Sequence, residues 1–99
     1  MRLSNRQRQA LFAALEEVGL PAGSEVYLFG SRVDDSARGG DIDLLIVGPV
    51  DDAYDLELSI KRAYRKRVDE RLDVVVLNTL KPDPDTELFV KTLDTERIA

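Results

Sequence analysis

Two aspartates that stand two residues apart are the first feature of this chain that could carry chemistry. Asp41 and Asp43 open an apolar run that reads as a strand to Val47. Side chains alternate along a strand, so both carboxylates should project from one face. Aspartate is disfavoured in strands, and two like charges this close raise the free energy unless a cation lies between them. The pair therefore predicts a site for a divalent cation.

The residue types missing from the sequence narrow the chemistry further. The chain has no histidine and no cysteine. It therefore has no imidazole base, no thiol nucleophile, no zinc finger and no disulfide. Carboxylate oxygens select hard cations, so Mg²⁺, Mn²⁺ or Ca²⁺ are the expected metals. Catalysis assisted by such an ion is the chemistry that these residues permit.

Three helices, three strands and one long loop should position these residues. A capping box at Ser4 and Gln7 begins a helical apolar pattern, and Gly19 ends it. The predicted elements, in chain order, are a helix over Asn5 to Val18, a strand over Glu25 to Phe29, a loop over Arg32 to Gly40, a strand over Asp41 to Val47, a helix from Asp51 or Asp52 to about Val68, a buried strand over Arg71 to Leu77, and a helix from Asp83 to about Leu93. The order αββαβα predicts a small mixed β-sheet of the α/β (α+β) class with helices packed on it.

The topology brings a third carboxylate towards the pair. The second strand, the helix and the third strand form a βαβ unit, whose strands must be parallel. Asp73 lies near the start of the third strand, so it should lie at the same sheet edge as Asp41 and Asp43 if the two strands are neighbours. The short loop between the first two strands favours an antiparallel pair, which brings Gly30 and Ser31 to that edge as well.

Each of these features also has an ordinary structural interpretation. A Gly-Ser after a strand is usually a turn, and an Asp-x-Asp can begin a strand with both carboxylates in water. Asp73 alone would be an edge residue before a buried run. The conjunction is what favours a site, because three acids at the starts of otherwise apolar strands serve no packing purpose.

The segments FGSRVDDSARGGDIDLLI and LDVVVL together resemble the minimal nucleotidyltransferases of the DNA polymerase beta-like superfamily. The shared pattern is an apolar residue, Gly-Ser, a spacer, Asp-x-Asp between apolar residues, and a third acid on a later strand. The resemblance covers most of the chain, because the order αββαβα is also that family's core. It implies that residues 1–99 form a single minimal nucleotidyltransferase domain.

The resemblance also implies a role for each candidate residue. Asp41 and Asp43 would hold Mg²⁺, with Mn²⁺ as an alternative, and Asp73 would help bind a second ion and activate the attacking hydroxyl. Gly30 and Ser31 would contact the leaving phosphates. Arg32 follows them directly and is either a donor to the leaving pyrophosphate or a solvated loop residue. The catalytic and metal set is Asp41, Asp43 and Asp73, and the nucleotide-binding set is Gly30, Ser31 and Arg32.

Small members of this superfamily resemble antitoxins that act on HEPN-domain ribonuclease toxins, which implies a HEPN-domain toxin as partner. The expected reaction is transfer of AMP from ATP to a hydroxyl, a tyrosine, of that partner. Ninety-nine residues leave little surface to wall off a deep pocket, so the acceptor should arrive on another protein. The alternative is a protein without turnover that neutralises its partner by contact.

Charge is distributed unevenly along the chain. The net charge is −5, which argues against general binding to nucleic acid phosphates. Five cations cluster nevertheless in the second half of the second predicted helix: Lys61, Arg62, Arg65, Lys66 and Arg67. They either complement the helix dipole in solvent or form a docking surface for an acidic partner or RNA. No apolar run approaches the ~20 residues that span a bilayer, and a cytoplasmic location without membrane contact is expected.

Overall fold

A computed structural model describes residues 3–29, 42–92 and 94–99 of the chain. Within them the elements are α1 (Asn5–Val18), β1 (Glu25–Phe29), β2 (Ile42–Gly48), α2 (Ala53–Arg65), β3 (Leu72–Asn78), α3 (Pro84–Lys91) and β4 (Thr95–Arg97). The predicted mixed sheet with three helices is confirmed. The predicted loop over Arg32 to Gly40 lies outside the described residues, as do Asp41 and Leu93 at the ends of two predicted elements.

The four strands form one sheet in the order β3-β2-β1-β4. β1 runs antiparallel to β2, and β2 runs parallel to β3, so α2 is the crossover of a βαβ unit. The assumption that the third strand lies beside the second is therefore correct. This neighbourhood brings the starts of β2 and β3 together, next to the end of β1.

The core lies between one face of the sheet and the helices α1 and α2. In β2 the alternate residues Ile42, Leu44 and Ile46 belong to this core and are at most 3% exposed. The helices contribute a buried stripe each, formed by Ala10, Leu11, Ala14 and Leu15 in α1 and by Leu56, Ile60, Ala63 and Tyr64 in α2. Because side chains alternate along a strand, the intervening residues of β2 face the other side of the sheet.

The ends of the helices follow from local hydrogen bonds. Ser4 Oγ accepts from the backbone N–H of Gln7 at 3.1 Å, and the Gln7 side chain accepts from the Ser4 N–H at 2.9 Å, which is the predicted capping box. Asp52 caps α2 in the same way, accepting from the Asp55 N–H. Gly19 ends α1 with a φ of 75°, a value that glycine adopts without strain.

α2 ends three residues earlier than predicted. The guanidinium of Arg67 donates to the carbonyl of Ala63 at 2.8 Å and satisfies one of the orphan carbonyls at the helix end. The Glu70 N–H then bonds the carbonyl of Val68, closing a turn that leads into β3. Val68 is buried, so it anchors this turn rather than extending the helix.

Two predictions about the sheet need correction. β4 was not predicted, because Thr95–Arg97 is fully exposed and has no apolar alternation; it is held by backbone pairing to β1. The third strand was predicted to be buried, but β3 is an edge strand in which only Leu72 and Val74 are buried. A run of valines therefore does not distinguish a central strand from an edge strand with one covered face.

α3 lies outside the core formed by α1, α2 and the sheet. Asp83 caps it and Pro84 begins it, as the sequence indicates. Its large apolar residues Leu88 and Phe89 are 65% and 46% exposed. No helix among the described residues has the length and apolarity needed to cross a membrane.

Candidate functional site

Asp43 and Asp73 lie side by side on adjacent parallel strands. Their Cα atoms are register partners in the pairing of β2 with β3. Neighbouring strands lie about 4.8 Å apart, and residues in register project from the same face. Asp43 is half-buried, and the side chain of Asp73 is 41% exposed. The structure thus brings these two predicted site residues together at one edge of the sheet.

The two aspartates lie on the face that α1 and α2 leave uncovered. Their strand neighbours Ile42 and Leu72 belong to the buried core, so alternation directs the carboxylates to the opposite side. This placement explains why acids occur within apolar strands, because only every second side chain of each strand points into the core. On that face Leu45 and Phe29 are buried, whereas the Asp73 side chain is 41% exposed on the edge strand β3, so a ligand can reach the pair from the β3 edge.

An aromatic pair forms the side of the site towards β1. Phe29 is the antiparallel partner of Asp43 and is 8% exposed. Its ring meets that of Phe89 edge to face, with centroids 6.2 Å apart. α3 is therefore anchored next to the carboxylate pair through this contact. Sequence reasoning did not connect Phe89 with the site, because nothing in its spacing relates it to β1.

A cation adjoins the carboxylates on the other side. The Nε of Arg71 lies 3.7 Å from Oδ1 of Asp73, with the arginine side chain 74% exposed. Such an exposed pair contributes little to stability. Its value is positional, since it places a positive charge at the edge of the site. The spacing i, i+2 along a strand is the signal that could have identified Arg71 as a neighbour of Asp73.

The other predicted site residues lie outside the described part of the chain. These are Gly30, Ser31, Arg32 and Asp41. Their roles in binding phosphate and metal stay predictions.

The donor set of the pair fits a hard divalent cation. Two carboxylates in register on adjacent strands repel one another, and a cation between them would relieve the repulsion. Only carboxylate oxygens are offered by the pair, which is the ligand type that Mg²⁺ and Mn²⁺ prefer. Across the ranges 3–29, 42–92 and 94–99, no three acidic side chains converge into a metal-binding group. The two described carboxylates thus match two members of the predicted ligand set, and the third, Asp41, lies outside those ranges.

An open groove begins at Asp73 and runs along α2. We call it the basic groove; it encloses about 470 Å³ and is lined by Leu58, Lys61, Arg62 and Arg65 of α2 and by residues 69–73. The four α2 residues have the spacing i, i+3, i+4, i+7 and therefore form one stripe on the helix. The groove and the carboxylate pair share Asp73.

The sequence profile described as "Polymerase beta, Nucleotidyltransferase" matches residues 23–92. The chain belongs to this nucleotidyltransferase family. The match runs from just before β1 to the end of α3, so it includes both Asp43 and Asp73 together with the Gly-Ser segment. No curated protein sequence matches the chain. Membership of the nucleotidyltransferase family assigns the chain a general role in nucleotidyl transfer, on a fold consistent with that family's core.

Proposed function

We propose that this nucleotidyltransferase transfers AMP from ATP to a tyrosine hydroxyl of a partner protein, and that it is the antitoxin of a HEPN/MNT toxin–antitoxin pair. The observation that carries the proposal is the register of Asp43 with Asp73 on the face of the sheet opposite α1 and α2. A bound Mg²⁺ would supply charge neutralisation at the phosphates in such a site. Asp41, Asp43 and Asp73 would hold it.

The proposed reaction is an in-line displacement at the α-phosphorus of ATP. The acceptor oxygen forms a bond to this phosphorus, the bond to the bridging oxygen breaks, and pyrophosphate leaves with the electron pair. The carboxylate of Asp73 accepts the proton of the hydroxyl. Gly30 and Ser31 would donate hydrogen bonds to the leaving phosphates, and Arg32 would balance their charge.

The position of Asp73 supports a macromolecular acceptor. Asp73 lies on the edge strand β3 and its side chain is 41% exposed, so a hydroxyl carried by a folded protein can reach it. The basic groove continues outward from this residue. A site with this geometry is open on the acceptor side, which suits transfer to another protein.

Neutralisation of the partner by contact alone is the second candidate. It is favoured by the exposure of several large apolar side chains, namely Tyr54, Leu80, Leu88 and Phe89. Exposed apolar side chains of this size are typical of surfaces that bind other proteins when they are contiguous. In that case the carboxylates would be dispensable for inhibition.

One experiment separates the two candidates. The protein is incubated with Mg²⁺, ATP labelled in the α-phosphate, and the protein encoded beside it. Asp43→Asn and Asp73→Asn are compared with Asp51→Asn, an exposed acid that follows the opposite end of β2. We expect label on a tyrosine of the partner, lost by about 100-fold or more in the first two variants and kept in the third. Inhibition of the partner that survives the loss of label would instead support neutralisation by contact.

A further inference from the structure

The cations of the basic groove are unequal in their contacts. Lys61 pairs with Glu57 at 3.0 Å, and Arg71 lies close to Asp73. Arg62 and Arg65 are both exposed, and within the described ranges neither has an ion-pair partner. Two guanidinium groups on one helical stripe are therefore available to an anionic ligand that enters the groove.

The neighbouring cations of the same run serve the fold instead. Lys66 and Arg67 both bind Glu17 of α1 at 2.8 Å, and they draw its pKa below the ordinary value by hydrogen bonding to its carboxylate. They thus connect α2 to α1. The five cations of the basic run therefore fall into two groups. Lys66 and Arg67 join α2 to α1, whereas Lys61, Arg62 and Arg65 line the groove.

The composition of the groove favours an acidic peptide over nucleic acid. Its floor includes the buried Leu72 and the half-buried Leu58, which suit apolar or aromatic side chains. Asp69, Glu70 and Asp73 also line it and would repel a continuous phosphate backbone. No aromatic side chain lines it among the described residues, so it offers no platform for base stacking. A peptide can place its few acidic side chains against Arg62 and Arg65 and its neutral ones elsewhere.

We infer that the basic groove binds the acceptor segment of the partner, and that this segment carries acidic residues beside the acceptor tyrosine. The inference rests on the proposed function, because that function places the acceptor hydroxyl at Asp73, where the groove begins. Arg62 and Arg65 are then specificity residues that position the acceptor without touching the reacting phosphate. Charge complementarity of this kind governs partner choice and association rate.

Direct binding tests the groove independently of catalysis. The probe is a short fluorescein-labelled peptide with one tyrosine flanked by glutamates, and its control has glutamines instead. We expect fluorescence anisotropy to detect binding of the acidic peptide only, weakening as salt is raised. The double variant Arg62→Glu/Arg65→Glu should bind about tenfold more weakly or worse. Arg62→Gln/Arg65→Gln should weaken binding less. This variant serves as a second test because glutamate near the helix C-terminus can itself destabilise the helix, whereas glutamine adds no negative charge.

The matched control is Lys81→Glu/Lys91→Glu, which makes the same charge change at two exposed lysines outside the groove and should leave binding unchanged. Equal binding of both peptides, or equal loss in the control variant, would overturn the inference. So would tighter binding of a single-stranded RNA oligonucleotide that is lost in the groove variants, because this would reassign the groove to nucleic acid.

Label transfer to the same peptide separates this inference from the proposed function. We expect Arg62→Gln/Arg65→Gln to raise the KM for the acidic peptide while kcat is retained, because the substitutions remove positioning and leave the carboxylates in place. Charge-dependent binding without any transfer by the wild type would support the groove and contradict the proposed function. Transfer that is indifferent to the groove variants would overturn the groove and leave the proposed function standing.

Discussion

Asp43 and Asp73 are a pair whose placement agrees with the proposed cation site. Either aspartate alone would be an ordinary surface residue. In register on neighbouring strands, however, the two carboxylates repel each other. Arg71 offsets part of the charge of Asp73 from an exposed position. A chain selected for stability alone would have little reason to place acids at both positions. The residue scale therefore supports a cation-binding role for the pair.

Tyr64 is a buried residue through which the stability of the fold responds to alkaline pH. It is fully buried, and its hydroxyl donates to Glu70 at 3.3 Å. Gln7 of α1 donates to the same carboxylate, so the cluster ties α1 to the turn before β3. Burial, followed by the charge of Glu70, raises the pKa of Tyr64 to about 12 from an ordinary value of 10.0.

The raised pKa of Tyr64 predicts a loss of stability in alkali. Both states hold the proton below pH 10.0, and between there and about 12 the unfolded chain loses it first. The free energy of unfolding should therefore fall with rising pH across this window, by on the order of 2 kcal/mol from this group. Urea unfolding at the two ends of the window measures it. Tyr64→Phe should lack this component and Tyr54→Phe, at an exposed tyrosine, should keep it; an equal fall in all three proteins would contradict the assignment.

At the scale of elements, the end of β2 is fitted closely to the entry of β1. A Cβ at Gly48 would lie 2.5 Å from Oγ of Ser24 and 3.0 Å from its Cα. The second contact is with backbone, which a change of side-chain rotamer cannot relieve. Oγ of Ser24 is itself buried and has no hydrogen-bond partner among the described residues. The junction between these strands thus has no room for a larger residue.

Gly48→Ala is therefore expected to lower the free energy of unfolding by about 1–3 kcal/mol, the usual cost of overpacking. Adding Ser24→Gly should recover part of the loss, because the contacts with Oγ and Cβ disappear while that with Cα remains. Chemical denaturation of the three proteins makes the comparison. An alanine variant as stable as the wild type would show that the strands can separate without cost at this point.

The elements differ in how well the sequence specifies them. α1 and β1 have the predicted bounds, because a capping box, a glycine stop and an apolar strand are local signals. β4 has no local signal at all, since its three exposed residues depend on pairing with β1. The edge position of β3 likewise depends on strand order, which no single segment encodes.

The candidate site likewise combines features that local sequence signals predict with features that depend on the fold. The sequence identified Asp43 and Asp73 by residue type and position, but their adjacency required β2 and β3 to be neighbours, which only the fold establishes. The basic groove was not foreseen as a feature distinct from the rest of the basic run. The groove forms because the α2 stripe and the turn after α2 lie next to each other in the fold. Which arginines are paired can be seen only from the positions of the side chains.

For the whole molecule, the separation of charge has a functional consequence. The net charge is −5, yet six cations lie within residues 58–71. The fold places four of them, together with three acids, along a groove that ends at Asp73. An acidic acceptor would be repelled by most of the surface and attracted locally, so it would approach from the groove side. Charge distribution and site position are thus both consistent with the proposed approach of the acceptor from the groove side.

The central claim is that the carboxylate pair binds a nucleotide together with a divalent cation. Ligand that binds the folded state raises the unfolding temperature, so thermal unfolding with a non-hydrolysable ATP analogue measures this directly. We predict a rise for the wild type and for Asp51→Asn in Mg²⁺ but not in EDTA, and none for Asp43→Asn or Asp73→Asn. An equal rise in all four proteins, or a rise in EDTA, would contradict the account.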